Sequence, residues 1–578
     1  MKGDALASVL AGAAALAVCL PGIGWGLPSE RRLELLLPDA ATRPAILAAL
    51  AEPEAAGDDR DQAGDPVAAC AGPIDAAGTG GAETWLRSEL VPFLMSSDDP
   101  DEMEAFSSLG KIFREPTRLD ARAFLYGHVY LAAVAAAEGT GWALGVLPRL
   151  PDRAALLQDP MLLRRMYLLG RVVSVVAIAL IASVTALVLR RAGCGATGTA
   201  CGVLAGLAPL AIAAAHVAKP HAFAALFGFL GIVTAFVAAE RMRPLAWIGH
   251  AVAIGIAASA SPPYALLALA APVAVLVVRP SAPAAAWRWC AIAWAGTGAA
   301  TVLLLNPLAL LHPDLFAGEA RHHLAGSGWG YGSFSPAKLL GFLAALLGGD
   351  LSPIVLPLLL VGIGVSFFEP TPLRRGLGLV LATSLLVYGG FLGVTRIALV
   401  VVPLVATIGG IGADRLAKLP PGPARTAGRL AVAVLAVLLA GHAAASAQSY
   451  RRPDPGDAAG AWLNASLAPS ACVTLRSDRP LATFMPRFAV GRQALRRVSL
   501  DAALPPALEP GGILVLSSVD PDRDRAAGWF APGGPYRVVA RFPEPDPFRL
   551  PDGPRRARSI LILEEARPAT TTGAAAGG

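Results

Sequence analysis

Charged residues are scarce in this chain of 578 residues, which argues against an ordinary soluble domain. Asp, Glu, Lys and Arg make up 16% of the sequence, whereas soluble domains carry about 25%. Aromatic residues account for only 6%, while hydrophobic residues reach 55%. The hydrophobic residues form repeated runs of about 18–25 residues, a length that crosses a bilayer. Small residues are abundant and let such helices approach closely, so the composition predicts a packed helical membrane bundle.

Sequence motifs for nucleotide binding and zinc binding are also missing. The glycine-rich stretch 326–332 lacks the flanking strand and helix of a phosphate-binding loop. The histidines form no His-x-x-His or His-Glu-x-x-His motif, and the six cysteines show no metal-ligand spacing. Cys70 and Cys472 could pair outside the membrane, but we expect them to be unpaired. The formal net charge of +6 is modest, and its basic residues sit mainly at helix ends, so we predict no nucleic-acid partner.

The apolar runs predict an all-α polytopic bundle of about 11–13 transmembrane helices. Residues 5–23 could be a cleaved signal peptide, but the sequence around Cys19 lacks a convincing small-residue cleavage site. They are therefore predicted to be a retained first helix with its N-terminus in the cytoplasm, and a long polar loop follows at 24–126. Short helices are predicted within this loop at 83–95 and 101–114. The remaining apolar helices are predicted at residues 127–148, 166–189, 199–215, 222–239, 245–258, 263–278, 289–311, 353–368, 377–394, 397–413 and 429–446, with a shorter apolar piece at 337–347.

Clusters of Arg and Lys set the predicted orientation, because cytoplasmic loops are enriched in them. They place residues 450–578 outside the cytoplasm. This orientation conflicts with the number of predicted spans, because 5–23 and 166–189 can both span in it only if 127–148 does not. The segment 127–148 is then a re-entrant or juxtamembrane helix, unless the N-terminus is placed wrongly. The clusters predicted to be cytoplasmic are Arg190-Arg191, Arg241 with Arg243, Arg279 with Arg288, Arg374-Arg375, and Arg415 to Arg429.

The C-terminal part has a different pattern and predicts a separate domain. Residues 1–449 form the predicted transmembrane domain, 450–567 a small extracytoplasmic α/β domain, and 568–578 a disordered tail. A helix is predicted at 456–466. Strand-like runs separated by Pro and Gly follow at Cys472–Leu475, Ile513–Leu516, Tyr536–Phe542 and Ser559–Leu563.

Ionisable residues converge on the predicted outer side of the membrane, which is the usual signature of a site at the mouth of a bundle. The segment Ser97–Phe106 carries five carboxylates, although solvation alone would also explain them. Lys219 lies in a short loop between two helices, as a phosphate ligand or as a lysine that anchors the interface. Arg396 would suit an anionic lipid head group. A divalent cation bound by Asp101 and Glu102 is also possible.

The order of these motifs resembles the polytopic glycosyltransferases of the C-type fold (GT-C), which include protein O-mannosyltransferases and the lipid A aminoarabinose transferase. The segment SDDPDEMEAF at 97–106, followed by Tyr126-Gly127-His128, carries most of the resemblance. It covers about residues 1–450. Further matching pieces are Arg171 to Ser174, Ala208-Pro209, Ser261 to Tyr264, Asn306-Pro307, and Arg396 with Pro403.

The resemblance implies a membrane glycosyltransferase whose acceptor is attacked on the outer face. The abundance of Ala, Arg and Pro suggests a GC-rich bacterial genome, so we expect a protein of the bacterial inner membrane with its site and C-terminal domain on the periplasmic side. Its donor would be a sugar on a polyprenyl phosphate, and its acceptor a lipid, glycan or protein. Asp101 is the predicted general base, with Glu102 or Asp99 assisting or orienting it. The predicted phosphate ligands are Lys219, Arg396 and Lys111, and the predicted sugar or acceptor contacts are Tyr126, His128, His221, His322 and His323.

The sequence departs from the family in its second outer loop, where many relatives carry an acidic residue and this chain has His221. Two other functions stay open. A transporter or flippase of lipid-linked saccharides would favour internal repeats and broken helices with ionisable groups at the midplane, and no repeat is evident. A scaffold or sensor that works through the outer tail would leave the ionisable outer loops unexplained.

Overall fold

The structure is a computed structural model that describes most of the helical bundle and the core of the C-terminal domain. The described residues are 2–51, 90–91, 93–97, 99–114, 127–148, 153–279, 284–305, 313–314, 317, 334–368, 371–392, 399–468, 471–476, 486–489, 494–498, 508, 511–517, 535–542 and 560–565. The predicted tail 568–578 lies outside them.

The fold is the predicted all-α membrane bundle with a small C-terminal α/β unit. The helices of the first outer loop and its surroundings are α1 (Lys2–Cys19), α2 (Glu30–Leu36), α3 (Arg43–Ala51), α4 (Pro100–Arg114), α5 (His128–Ala143) and α6 (Arg153–Gln158). The bundle continues with α7 (Pro160–Arg191), α8 (Ala196–Gly206), α9 (Pro209–Ala215), α10 (Pro220–Arg241), α11 (Pro244–Ala260), α12 (Ala270–Val278), α13 (Ala284–Leu305), α14 (Pro336–Ala345), α15 (Leu356–Phe368), α16 (Pro372–Val387), α17 (Val401–Ala417) and α18 (Pro423–Ser449). Shorter helical turns of 3-10 or π type cover Pro262–Leu269, Leu346–Asp350, Pro353–Val355 and Tyr388–Leu392.

Several of these helices have the length and composition to cross a membrane. Among the described residues, four do so alone: α7, α10, α16 with its π turn, and α18. Two pairs of helices have this length and composition only when taken together, and each pair is bent, as in a broken span or a re-entrant loop: α8 with α9 at 60° and Pro336–Asp350 with Pro353–Phe368 at 102°. Three shorter helices, Gly3–Cys19, Pro244–Ala260 and Pro262–Val278, are also apolar. Proline occupies the first turn of many helices, where its missing N–H costs no hydrogen bond.

The two ends of the bundle differ in charge, as the orientation prediction requires. Helix α1 runs antiparallel to α7, since Asp4 contacts Arg190 at 3.1 Å and Ser8 exchanges hydrogen bonds with Ser183. Near Arg190, the ends of α7, α10, α16 and α17 carry the basic clusters. Their contacts there are Arg191 with Glu240, Arg279 with the Ala239 carbonyl, Arg374 with the Ala192 carbonyl, and Lys418 with Asp414 and the Gly193 carbonyl.

Helix α5 bears on the conflict over the number of spans, because both of its ends lie near the opposite, less basic end of the bundle. At its start, Gly127 lies against the Ser259 carbonyl, where a Cβ would overlap that oxygen. Near its end, Gly141 packs against Leu169, in the first part of α7. The geometry therefore favours a re-entrant or juxtamembrane helix at 127–148 over an additional span.

Helices α15 and α17 approach each other through glycine. A Cβ on Gly362 would overlap the carbonyl oxygen of Ile408, and a Cβ on Gly412 would overlap that of Leu358. Backbones this close leave no room for a side chain, which is how small residues hold membrane helices together.

We expect Gly362→Ala to lower the thermal midpoint of unfolding of the detergent-solubilised protein by several degrees, because the helices must separate. The matched control is Gly364→Ala in the same helix, since nothing lies within 4 Å of a Cβ there. Alanine is favoured over glycine in a helix by about 1 kcal/mol, so the control should be neutral or slightly stabilising. Equal midpoints for the two variants would contradict the close packing.

The C-terminal unit contains α19 (Pro455–Ser466) and a five-stranded sheet in the order β2-β1-β3-β5-β4. Strand β1 is parallel to β2 and β3, while β5 is antiparallel to β3 and β4. Four strands were predicted, and the edge strand β2, with the sequence ALRRV, was missed because it lacks a strong apolar pattern. The strands are β1 (Cys472–Arg476), β2 (Ala494–Val498), β3 (Ile513–Ser517), β4 (Tyr536–Phe542) and β5 (Ile560–Glu565).

The first outer loop and the C-terminal unit share one apolar core, which the predicted boundary at residue 450 did not anticipate. Leu33, Leu36 and Phe93 of the loop pack into the same cluster as Leu463 and Val515. Asn464 joins the two parts by polar contacts, because its side chain donates to the Leu35 carbonyl and accepts from the Ala489 N–H.

Cys472, at the start of β1, is disulfide-bonded. The expectation that it is unpaired was therefore wrong. Cys70 lies outside the described residues, and the four cysteines of the bundle are free and buried.

Candidate functional site

The acidic segment forms the start of helix α4. A serine turn precedes the helix: the Ser97 hydroxyl donates to the Asp99 carbonyl at 2.8 Å and accepts from the Asp99 N–H at 3.2 Å. The Glu102 N–H then donates to the Asp99 carbonyl at 3.0 Å. Asp101, the predicted general base, is the second residue of this helix. Asp99 therefore directly precedes α4, and Asp101 and Glu102 lie in its first turn.

Glu102 forms a buried ion pair with Arg171 of α7. Arg171 donates from Nε to Oε1 at 2.8 Å and from Nη2 to Oε2 at 2.7 Å, and both residues are almost fully buried. The Ala218 N–H also donates to Oε1 of Glu102 at 2.5 Å. A carboxylate held by a bidentate guanidinium and a backbone N–H is fixed in place. Glu102 was predicted to assist or orient the base, and both of its carboxylate oxygens accept from these donors.

Arg171 also binds the segment that leaves α1. Its Nη1 donates to the carbonyls of Ile23 at 2.7 Å and Trp25 at 2.6 Å. The part of α7 from Arg171 to Arg190 is about 29 Å long, close to the hydrocarbon thickness of a bilayer. Arg171 therefore lies near one membrane boundary if Arg190 lies near the other.

The short loop between α9 and α10 lies directly beside the acidic segment. Ser174, one turn after Arg171, donates to the Val217 carbonyl at 2.7 Å. Lys219 is 3% exposed, and its Nζ lies 2.7 Å from Oδ1 of Asp99. The loop between α9 and α10 thus contacts two predicted site residues of the acidic segment. Its Lys219 pairs with Asp99, and its Ala218 N–H donates to Glu102.

The base of this loop is fixed by an aromatic stack. His216 is almost fully buried and stacks on Tyr450 with ring centroids 3.7 Å apart. Its two ring nitrogens face the Ile212 and Pro21 carbonyls at 2.8 and 3.2 Å. The loop, the end of α1 and the end of α18 therefore meet at one point.

Helix α5 closes another side of the site. His128 is its first residue and is half-buried, and His221 is the second residue of α10 and also half-buried. Tyr130 packs edge-on against Phe223 with centroids 6.0 Å apart, which links the two segments. Burial, and secondly the negative charge of Glu102, raise the pKa of Tyr130 well above its ordinary value, so its phenol stays protonated.

Five other predicted site residues have no described contact with this group. The backbone of Lys111 lies in helix α4. The remaining predicted ligands, Tyr126, His322, His323 and Arg396, lie outside the described residues.

A metal ion bound by Glu102 is not favoured by the geometry. Both carboxylate oxygens of Glu102 already bind Arg171, and one of them also binds a backbone N–H. Within the described ranges, no group of three His, Cys, Asp or Glu side chains has metal-binding geometry.

Arg171 is the site residue whose role sequence reasoning missed. The segment Arg171 to Ser174 was noted as a piece that matches the family, but no partner was assigned to Arg171. The signal was an arginine at the start of the long apolar run of α7, where a charge is costly unless it is paired.

Comparisons with known proteins give matches at the level of structure only. No family model and no curated protein matches the sequence. The crystal structure of ArnT from Cupriavidus metallidurans bound to undecaprenyl phosphate matches with a TM-score of 0.45 and 16% identity, over 84% of this chain and 98% of the ArnT chain. The apo form of the same protein matches with a TM-score of 0.44 and 15% identity, over 83% and 96% of the two chains.

Proposed function

We propose that this protein is an integral membrane glycosyltransferase that moves a sugar from a polyprenyl-phosphate donor to an acceptor. The observation that carries the proposal is the pairing of Asp99 with Lys219 at 2.7 Å, one turn from the Glu102–Arg171 pair. It places carboxylates and a buried ammonium together at one mouth of a membrane bundle. Transfer from a lipid phosphate requires both, a base for the acceptor and a cation for the leaving group.

Two observations support a site on the periplasmic side. The basic clusters lie at the opposite end of the bundle, which the positive-inside rule assigns to the cytoplasm. Cys472 is disulfide-bonded, and disulfides persist in oxidising compartments such as the periplasm.

In the proposed reaction, Asp101 removes the proton of an acceptor hydroxyl as its oxygen attacks the anomeric carbon. The bond from that carbon to the phosphate oxygen breaks, and polyprenyl phosphate leaves with the bonding electrons. The attack comes from the opposite face, so the anomeric configuration inverts. Glu102, fixed by Arg171, orients the helix that carries Asp101.

Lys219 receives the developing charge on the phosphate, together with Arg396. An ammonium carries three N–H donors, so it can bind a carboxylate and a phosphate oxygen at the same time. The ion pair with Asp99 would then keep Lys219 at the site before the donor arrives.

The proposal is tested with purified protein in nanodiscs. A panel of polyprenyl-phosphate sugars is offered together with a membrane-lipid and glycan extract, and the release of polyprenyl phosphate is followed. Release that depends on both donor and acceptor is the expected result. If no donor of the panel is cleaved while labelled donor crosses the bilayer of protein-containing liposomes, the protein is a flippase and the proposal is wrong.

We expect Lys219→Ala to lower kcat/KM for the donor by about 10²–10³-fold, the usual effect of removing one donor to developing charge. Lys219→Arg should recover part of the loss. The control is Lys418→Ala, which removes a lysine of a similar 2.7 Å ion pair at the other end of the bundle. An unchanged kcat/KM in Lys219→Ala would remove Lys219 from the phosphate site.

A further inference from the structure

Four charged side chains are buried where the first outer loop meets the C-terminal unit. Arg32 of α2, Asp454, Asp457 and Arg487 are 1%, 7%, 9% and 2% exposed. Nη1 of Arg487 lies 2.6 Å from Asp454 Oδ1 and 3.6 Å from Asp457 Oδ1. Arg32 lies 4.0 Å from Asp454 Oδ2 and 3.8 Å from Asp457 Oδ1. The two positive and two negative charges form a compact, neutral group, which we call the junction cluster.

The C-terminal half of the junction cluster is held by backbone contacts. Asp454 caps helix α19 and accepts the Gly456 N–H at 2.6 Å. A Cβ on Gly456 or Gly460 would overlap Arg487, so α19 packs directly on this residue. Burial raises the pKa of Asp457, while the nearby Arg487 counteracts this effect. The Asp454 carboxylate is therefore held in place by Gly456 and Arg487 on the side away from Arg32.

Arg32 reaches from the junction cluster to the acidic segment. Its Nη1 donates to the Ser96 carbonyl at 2.7 Å, and its Nη2 donates to the Gly26 carbonyl at 3.0 Å. Ser96 directly precedes Ser97, whose hydroxyl forms the turn around Asp99. Asp99 in turn pairs with Lys219.

The same guanidinium therefore contacts two backbone segments of the site. Gly26 is the neighbour of Trp25, whose carbonyl is bound by Arg171. The planar fork of an arginine offers five N–H donors, so Arg32 can donate to two carbonyls while its charge faces the carboxylates of Asp454 and Asp457 at 4.0 and 3.8 Å.

We propose that the C-terminal unit is a positioning element for the acidic segment, and that Arg32 transmits its position through the junction cluster. The proposal rests on the function proposed above, in which Asp99 and Asp101 lie at the reacting centre. Arg32 acts through the Ser96 carbonyl, to which its Nη1 donates. It is a positioning residue, and the C-terminal unit is required for the rate of the reaction and not only for stability.

The choice of charged groups supports this interpretation. A buried ion cluster adds little net stability compared with apolar residues of the same volume, because desolvation offsets the attraction. It does fix a geometry, since each charge has few low-energy partners. An apolar junction would hold the two parts together without defining the position of Ser96.

The test compares Arg32→Lys with Arg487→Lys in the full chain. Both changes keep the charge of one member of the junction cluster, but a lysine at position 32 cannot hold both carbonyls and the carboxylates. We measure kcat and KM for the donor, the thermal midpoint, and hydrogen–deuterium exchange of the amides between Ser96 and Glu102.

We expect Arg32→Lys to lower kcat by about 10- to 100-fold, as small misplacements of catalytic groups do, with a smaller change in KM. The Asp99 and Glu102 amides should exchange faster. Arg487→Lys disturbs the C-terminal side of the junction cluster and should change kcat and exchange in the same direction, but to a smaller extent, because Arg32 keeps its contact with the Ser96 carbonyl. If kcat falls equally in both variants, and only in proportion to the loss of folded protein, the junction cluster is merely structural and the proposal is wrong. The exchange measurement needs no substrate and therefore separates this inference from the proposed function. If the wild type transfers no sugar, the proposed function is wrong. Faster exchange of the Asp99 and Glu102 amides in Arg32→Lys would still support the positional link.

Discussion

Asp101→Asn is expected to lower the rate of sugar transfer by about 10²–10⁴-fold, the usual contribution of a general base. Asparagine keeps the size of the side chain but cannot take the proton of the acceptor hydroxyl. Asp101 is the second residue of α4, whose first turn is fixed by the Ser97 turn before it and by the Glu102–Arg171 pair behind it. The measurement is the release of polyprenyl phosphate by purified variant and wild type, at equal amounts of folded protein.

Two further variants identify which carboxylate acts. Asp99→Asn removes the partner of Lys219 and should raise KM for the donor more than it lowers kcat. Asp314→Asn changes an exposed carboxylate and should have no effect. If Asp101→Asn keeps full activity while Asp99→Asn loses it, the base is Asp99 and the assignment to Asp101 is wrong.

The helices of the bundle could be predicted from the sequence because their apolar runs end at Pro, Gly and Arg. The predicted helix at 222–239 is observed as Pro220–Arg241, and the predicted helix at 166–189 as Pro160–Arg191. Helix α4, predicted at 101–114, is observed as Pro100–Arg114. Local composition and caps determine such boundaries, so one sequence is sufficient for them.

Long-range contacts could not be predicted in the same way. The sharing of one core by Phe93 and Val515 depends on residues more than 400 positions apart, and no local pattern encodes it. Strand β2 is an edge strand with two arginines, which periodicity does not distinguish from a loop.

The site was predicted in part, because residue types show which groups are ionisable but not which of them pair. The acidic segment and Lys219 were singled out, and the structure places Lys219 against Asp99. The partner of Glu102 required the fold, since Arg171 is 69 positions away in the sequence and on another helix. The proposed function uses this pairing to assign roles, because a carboxylate fixed by a guanidinium can orient its neighbours, whereas a base must be able to take a proton.

The Glu102–Arg171 pair is expected to show the largest effect on stability. Removing one partner of a buried ion pair leaves an unpaired charge and costs about 3–5 kcal/mol. Arg171→Leu would leave Glu102 unpaired and would also remove the donor to the Ile23 and Trp25 carbonyls. Glu102→Leu would leave Arg171 and the Ala218 N–H without their carboxylate. Each single variant should therefore unfold at a clearly lower temperature in detergent.

The double variant separates stability from function. Replacing both charges by leucine removes the unpaired charge, so the double variant should be more stable than the sum of the single changes predicts. Its transfer activity should stay low, because nothing then fixes the first turn of α4 against α7. The matched control is the Arg191–Glu240 pair, which lies at the other end of the same helix and is partly exposed. Removing a partner of such a pair should cost about 0–1 kcal/mol. If the Glu102 and Arg171 changes are additive, or if the stable double variant transfers sugar at the wild-type rate, the pair does not orient the site.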